Sequence, residues 1–191
     1  MNTREAFPMG ETKEPIQSEK EIAWNNVRAK VEKVTDALDL GVDKGIKEAV
    51  TAFVAHDFTT SQSCEGHVDD IKERGHAFPW VEVYAPDPEG FDEAEGEERE
   101  RLEHELTIKN LVQRKKLTEF FEEFYKERET PFDVQLTFDR IGAFGGFRVQ
   151  STGAELMPLL PMEERVKKIE LYRKEMDEFA RFLKQKFFAK E

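Results

Sequence analysis

Apolar positions along the chain follow two periods, and the switches between them mark out the elements. From Ser18 onward, Ala23, Val27, Val31, Val34 and Leu38 recur every three to four residues as one stripe of a helix, and Gly41 follows where a C-terminal cap belongs. Val42, Ile46, Val50, Phe53 and Val54 predict a second helix to about His56, hairpinned or kinked against the first. Between Asp57 and Pro86 the helical period stops and Thr, Ser, Val, Trp and Tyr take over. This predicts strands at about Phe58–Ser63 and Trp80–Tyr84, joined by a loop through Val68–Phe78. A dense acidic run over 86–105 reads as a solvated loop entering a helix. That helix carries Leu102, Leu106, Leu111, Leu117, Phe120, Phe121 and Phe124 and ends before Pro131. Asp133–Phe138 and Gly145–Ser151 alternate and predict a hairpin whose connection holds Gly142, Gly145 and Gly146. After Pro161, the residues Val166, Ile169, Met176, Ala180, Leu183 and Phe187 predict a terminal helix of roughly 40 Å.

The order α-α-β-β-α-β-β-α predicts an α+β fold, with helices packed on one face of a mainly antiparallel sheet of about four strands. Val81, Val83, Val134, Leu136, Phe138, Phe147 and Val149 fall on the apolar side. Glu82, Gln135, Thr137, Arg148 and Gln150 fall on the other, which leaves that face to water or a ligand. Residues 1–17 mix Pro, Gly and charge without periodicity and read as an arm preceding one domain over 18–191.

Composition narrows the function classes. A chain of 191 residues argues against a two-domain enzyme, and sixteen Phe predict an aromatic core. Lys and Arg total 29 against 41 Asp and Glu, a net charge of −12, which counts against nucleic acid or an anionic membrane as partner. A single Cys excludes an intrachain disulfide. No 18-residue apolar run occurs, so a soluble, cytoplasmic protein is expected. His56 and His104 read as surface or helix-end residues.

The candidate chemistry is concentrated in Thr59–His67, which holds hydroxyl and amide side chains, the only Cys and one of four His within nine residues. Gly66 allows positive φ, so Cys64–His67 can form a tight turn that brings imidazole to thiol. Alternatively Ser63 is an N-cap and places Cys64 in the first turn of a short helix. Either arrangement favours a thiolate, with Cys64 as nucleophile or contact residue, His67 as base and Arg148 as stabiliser of negative charge. The plain reading of the same block is a structural turn around a small buried Cys.

Cys64 and His67 also have metal-ligand spacing, but they lack a second Cys and would have to recruit His76 or Glu82; no cofactor is expected. Arg148 lies mid-strand on the polar side, either paired with Glu82 or free to hold an anion. Trp80 and Tyr84 offer a stacking wall or lie under a helix. The glycines at 142, 145 and 146 belong to a hairpin connection, since no Lys-Ser/Thr follows them as in a phosphate loop.

Thr60-Ser61-Gln62-Ser63-Cys64-Glu65-Gly66-His67, followed by Pro79-Trp80-Val81-Glu82, resembles a family of uncharacterised bacterial and phage proteins with a T-x-x-SCEGH block and a downstream P-W-V strand. The likeness extends through Phe124–Arg128 and Phe147–Ser151. It implies that Cys64, Gly66, His67, Trp80 and Arg148 share one site, and it brings no activity. The chain departs from the pattern at Asp57, where relatives have Gly, and in its long loop after His67. A fainter similarity, to wybutosine-type tRNA methyltransferases with an S-C-S-G-R block, stops at His67, which stands in place of Arg. The charge also argues against tRNA.

Two functions follow. The first is a pocket of Cys64, His67 and Arg148, with Ser63, Glu65, Gly66, Trp80, Glu82 and Gln150, which binds a small anionic ligand with or without catalysis. The second is a non-enzymatic interaction or regulatory module whose acidic and Phe-bearing helices contact a protein partner.

Overall fold

The computed structural model describes residues 18–35, 40–68 and 76–189. The N-terminal arm, Leu38 and the middle of the Val68–Phe78 loop lie outside the described residues. Helix α1 (Glu19–Val31) opens with a reciprocal cap: the Ser18 hydroxyl accepts from the Glu21 N–H, and the Glu21 carboxylate accepts from the Ser18 N–H at 2.7 Å. Its buried residues are Trp24 and Val31, with Ala23 exposed, so the stripe is rotated from the one expected. The helix stops at Val31. Thr35 bridges to Gly41, which leaves Val34 exposed and Gly41 in a bridge rather than a cap.

Helix α2 (Lys47–Ala55) begins five residues later than Val42, because the Ile46 N–H closes a turn on the Asp43 carbonyl. Ala49 through Phe53 are all buried, the mark of a helix inside the core. Its C-cap, His56, is no surface residue. It is 1% exposed, with Nε2 2.7 Å from the Leu183 carbonyl, while His104 is exposed as expected.

Strands β1 (Thr60–Cys64), β2 (Trp80–Val83), β3 (Leu136–Ile141) and β4 (Gly146–Ser151) form one antiparallel sheet in the order β1-β2-β4-β3. Val81, Val149 and Phe138 are directly opposite one another, and Val83 faces Phe147. These residues meet the helices α3 (Gly96–Tyr125) and α4 (Met162–Ala189) together with α1 and α2. Phe179 of α4 has Phe53, Phe121 and Phe124 edge-on at 6.0, 4.9 and 5.1 Å, so the core is aromatic. No helix among the described residues is long and apolar enough to cross a membrane.

Two local expectations give way to backbone needs, and one element is unforeseen. β3 starts at Leu136, because the N–H groups of Val134 and Gln135 both donate to the Pro131 carbonyl. Val134 therefore leaves the helix-facing side and joins an apolar cluster with Cys64, Trp80 and Tyr172. On α3 the buried position is Asn110, not Leu111, which is 51% exposed. The Asn110 amide accepts from the Ala85 N–H at 2.7 Å and donates to the Phe144 carbonyl at 2.9 Å, tying two loops to the helix. A 3-10 helix (Ala154–Leu159), for which the sequence carries no periodic signal, buries Ala154 and Met157.

Candidate functional site

Cys64 ends β1 opposite Trp80, and no helix follows Ser63, so the N-cap arrangement does not form. The chain instead reverses through Gly66 at φ +82°. A Cβ there would meet the backbone of Phe78 and Pro79 at 2.7–2.9 Å, so both the dihedral and the close approach require glycine. Four partner residues, His76, Arg173, Gly45 and Asp43, fix the turn. The His67 N–H donates to the His76 carbonyl at 2.9 Å. Arg173 of α4 donates to the carbonyls of Glu65 and Gly66 at 2.9 and 2.5 Å. The Glu65 carboxylate accepts from the Gly45 N–H at 2.6 Å. Asp43 Oδ2 accepts from the Glu65 N–H at 3.1 Å and lies 3.3 Å from His67 Nε2.

The imidazole and the sulfur do come together. Donor atoms of Asp43, Cys64 and His67 all lie within 4.8 Å of one another. These surroundings do not favour a thiolate. Cys64 is 4% exposed, and this burial pushes the thiol pKa up more than the N–H groups of Gly66 and His76 pull it down; the charges of Asp43 and Glu65 raise it further. The Gly66 N–H donates to Sγ at 3.3 Å.

Arg148 belongs to a neighbouring group. It is opposite Glu82 and donates to its carboxylate at 3.3 Å, and its guanidinium carbon sits 4.0 Å over the Trp80 ring. The Ser61 hydroxyl donates to the other Glu82 oxygen at 2.8 Å. Arg148 also lies 3.4 Å from Nε2 of His76, whose pKa is lowered first by burial and then by that guanidinium. The anion-binding expectation for Arg148 therefore meets a charge already offset by Glu82. His76 links the two groups: its main chain meets His67 and the Cys64 sulfur, and its ring meets Arg148.

The second face of the sheet is not open along its whole length. Trp80 packs in the cluster of Cys64, Phe78, Ala154, Met157 and Tyr172, and Gln150 opposite it is 2% exposed. Tyr84 forms no wall with Trp80; its ring lies against Gly146 in the hairpin.

A cleft of about 570 Å³ runs between α1, α2 and β1. Val31, Val42, Val50 and Val54 give it apolar lining, Thr60–Ser63 a polar wall, and Lys30 a positive charge. Two of its lining residues, Val42 and Ser63, are the chain neighbours of Asp43 and Cys64, so it ends beside the Asp43–Cys64–His67 group.

Asp43 and Arg173 are the site residues that sequence reasoning misses, and His76, named there only as a metal ligand to be recruited, instead bridges the two groups through its main chain and ring. Asp43-Lys44-Gly45 is a turn signal hidden inside an apparent helical stripe. Arg173, 107 positions from Gly66, has no local signal. No family model, curated protein or solved structure matches the chain.

Proposed function

We propose that the protein binds a small amphipathic anion in the cleft between α1, α2 and β1, beside the Cys64–His67 turn. The observation that carries this reading is the cleft's composition: valine side chains, the hydroxyl-bearing strand residues Thr60 and Ser63, and Lys30 line one space of about 570 Å³, a size that suits a small ligand. The anion's apolar body lies on the valines and its charged end meets Lys30 and the hydroxyls. Binding, not thiol chemistry, is the function supported, because burial makes the sulfur inaccessible and disfavours its thiolate form.

The alternative of a module that presents Phe-bearing helices to a partner has less support, since Phe121, Phe124 and Phe179 are committed to the core. The test is thermal denaturation with straight-chain carboxylates, alcohols and amines of matched length. The carboxylates raise the melting temperature, and Lys30→Glu abolishes the effect. Val34→Trp, at an exposed position lining the cleft, blocks it. No shift with any carboxylate, or a shift unaltered by both substitutions, overturns the reading.

A further inference from the structure

The convergence of a carboxylate, a thiol and an imidazole at the β1 turn has a second meaning. We infer that Asp43, Cys64 and His67 form a binding site for a divalent transition-metal ion of the zinc class.

The donor set is of the right chemistry. Sulfur and imidazole nitrogen select zinc, cobalt and related ions over magnesium and calcium, which take oxygen ligands. The oxygen–nitrogen spacing agrees. Ligand atoms of a tetrahedral ion bound at about 2.0–2.1 Å stand about 3.3 Å apart. Asp43 Oδ2 and His67 Nε2 stand at 3.3 Å, and Sγ of Cys64 lies within 4.8 Å of a ligand atom of each residue. One thiolate and one carboxylate match the charge of a dication. Metal entry displaces the thiol proton to solvent and forms the sulfur–metal bond in its place.

The donors are also held from outside, as metal ligands are. The Gly66 N–H points at the sulfur, the Glu65 N–H at the Asp43 carboxylate, and the His67 main chain is fixed to His76. Arg173 and Gly45 hold Glu65 and Gly66, the residues between the Cys and the His. The third ligand is thus Asp43, from the turn before α2, and neither His76 nor Glu82 is needed. Three protein ligands leave one coordination position open, the pattern of a site that takes water or a ligand. This assignment does not depend on the cleft reading, and its test uses metal alone.

The full chain, stripped with chelator and dialysed, is titrated with Co²⁺ and separately with Zn²⁺ by equilibrium dialysis. The expected result is uptake of one equivalent, a thiolate-to-cobalt charge-transfer absorption, displacement of cobalt by zinc and none by magnesium. Asp43→Asn, His67→Gln and Cys64→Ser each weaken binding by at least about tenfold, the lower range for loss of even an outer partner. Cys64→Ser also removes the charge-transfer band. Circular dichroism confirms that each variant is folded; should Cys64→Ser unfold, Asp43→Asn and His67→Gln decide. No metal uptake, cobalt bound without the sulfur band, or affinity unchanged in Asp43→Asn and His67→Gln overturns the assignment.

Discussion

Cys64 and Trp80 are direct partners across β1 and β2, whereas Arg148, which stacks on the indole, pairs with Glu82 two residues further along β2. That offset separates two groups of polar residues that the sequence reading places in one pocket. It assigns the sulfur to Asp43 and His67, and the guanidinium to Glu82 and His76.

The first consequence concerns the thiol. Cys64 is expected to resist alkylation in the native protein at neutral pH and to react at an ordinary rate once the chain is unfolded. Because the folded pKa is raised, the neutral thiol's contribution to stability is complete below the ordinary thiol pKa and is lost as pH climbs through the folded value. Rates of iodoacetamide modification against pH, with and without denaturant, check this. Fast native modification with a depressed apparent pKa would contradict it.

Gly66→Ala is expected to lower stability by about 2 kcal/mol or more, since it combines left-handed strain with a clash against the main chain of Phe78 and Pro79. Gly90 also has positive φ, at +76°, but no neighbouring atom near its missing Cβ. Gly90→Ala is expected to cost less. Urea unfolding of both variants separates strain alone from strain plus contact.

Arg173→Gln removes the charged donors from the Glu65 and Gly66 carbonyls. A loss of about 1–3 kcal/mol is expected, with faster amide exchange at His67. Hydrogen exchange read residue by residue checks this, and exchange at His67 unchanged from the parent protein would show that the clamp is dispensable.

The tyrosines give a test at alkaline pH. Tyr172, buried beside Asp133, has its pKa pushed up to about 12, by burial first and then by that carboxylate. Tyr125 is raised as well, again mainly by burial. Their neutral phenols support the fold fully below the ordinary tyrosine range, about pH 10; for Tyr172 that support is lost as pH rises through about 12, and for Tyr125 the loss extends to higher pH. Absorbance titration of the phenolate is expected to rise late in the native protein and near pH 10 in denaturant.

The order of elements was legible because the period changes from about 3.6 to 2 where the structure changes, and because Phe53, Phe121, Phe124, Met176 and Leu183 fall on predicted inner faces. Gly66 was legible too, since its motif calls for a turn. What periodicity cannot supply is register. Alternation puts Trp80, Glu82 and Arg148 on one side of the sheet and the motif puts Cys64 in a turn at its end, but only the strand pairing shows which of them meet. Asp43 was hidden by the valines and isoleucine around it, which mimic a helix across a turn. Asn110 was hidden because its burial answers the backbone of Ala85 and Phe144, not an apolar stripe. Arg173 was hidden because a helix surface position does not announce a contact made with a distant turn.

The cleft reading is tested most directly by mapping a bound carboxylate through its effect on nuclear magnetic resonance shifts. The account predicts that the methyl signals of Val42, Val50 and Val54 and the amides of Thr60–Ser63 move on titration, while the Trp80 indole N–H and the Arg148 side chain stay in place. Shifts centred on Trp80 and Arg148, or none at all, would contradict it.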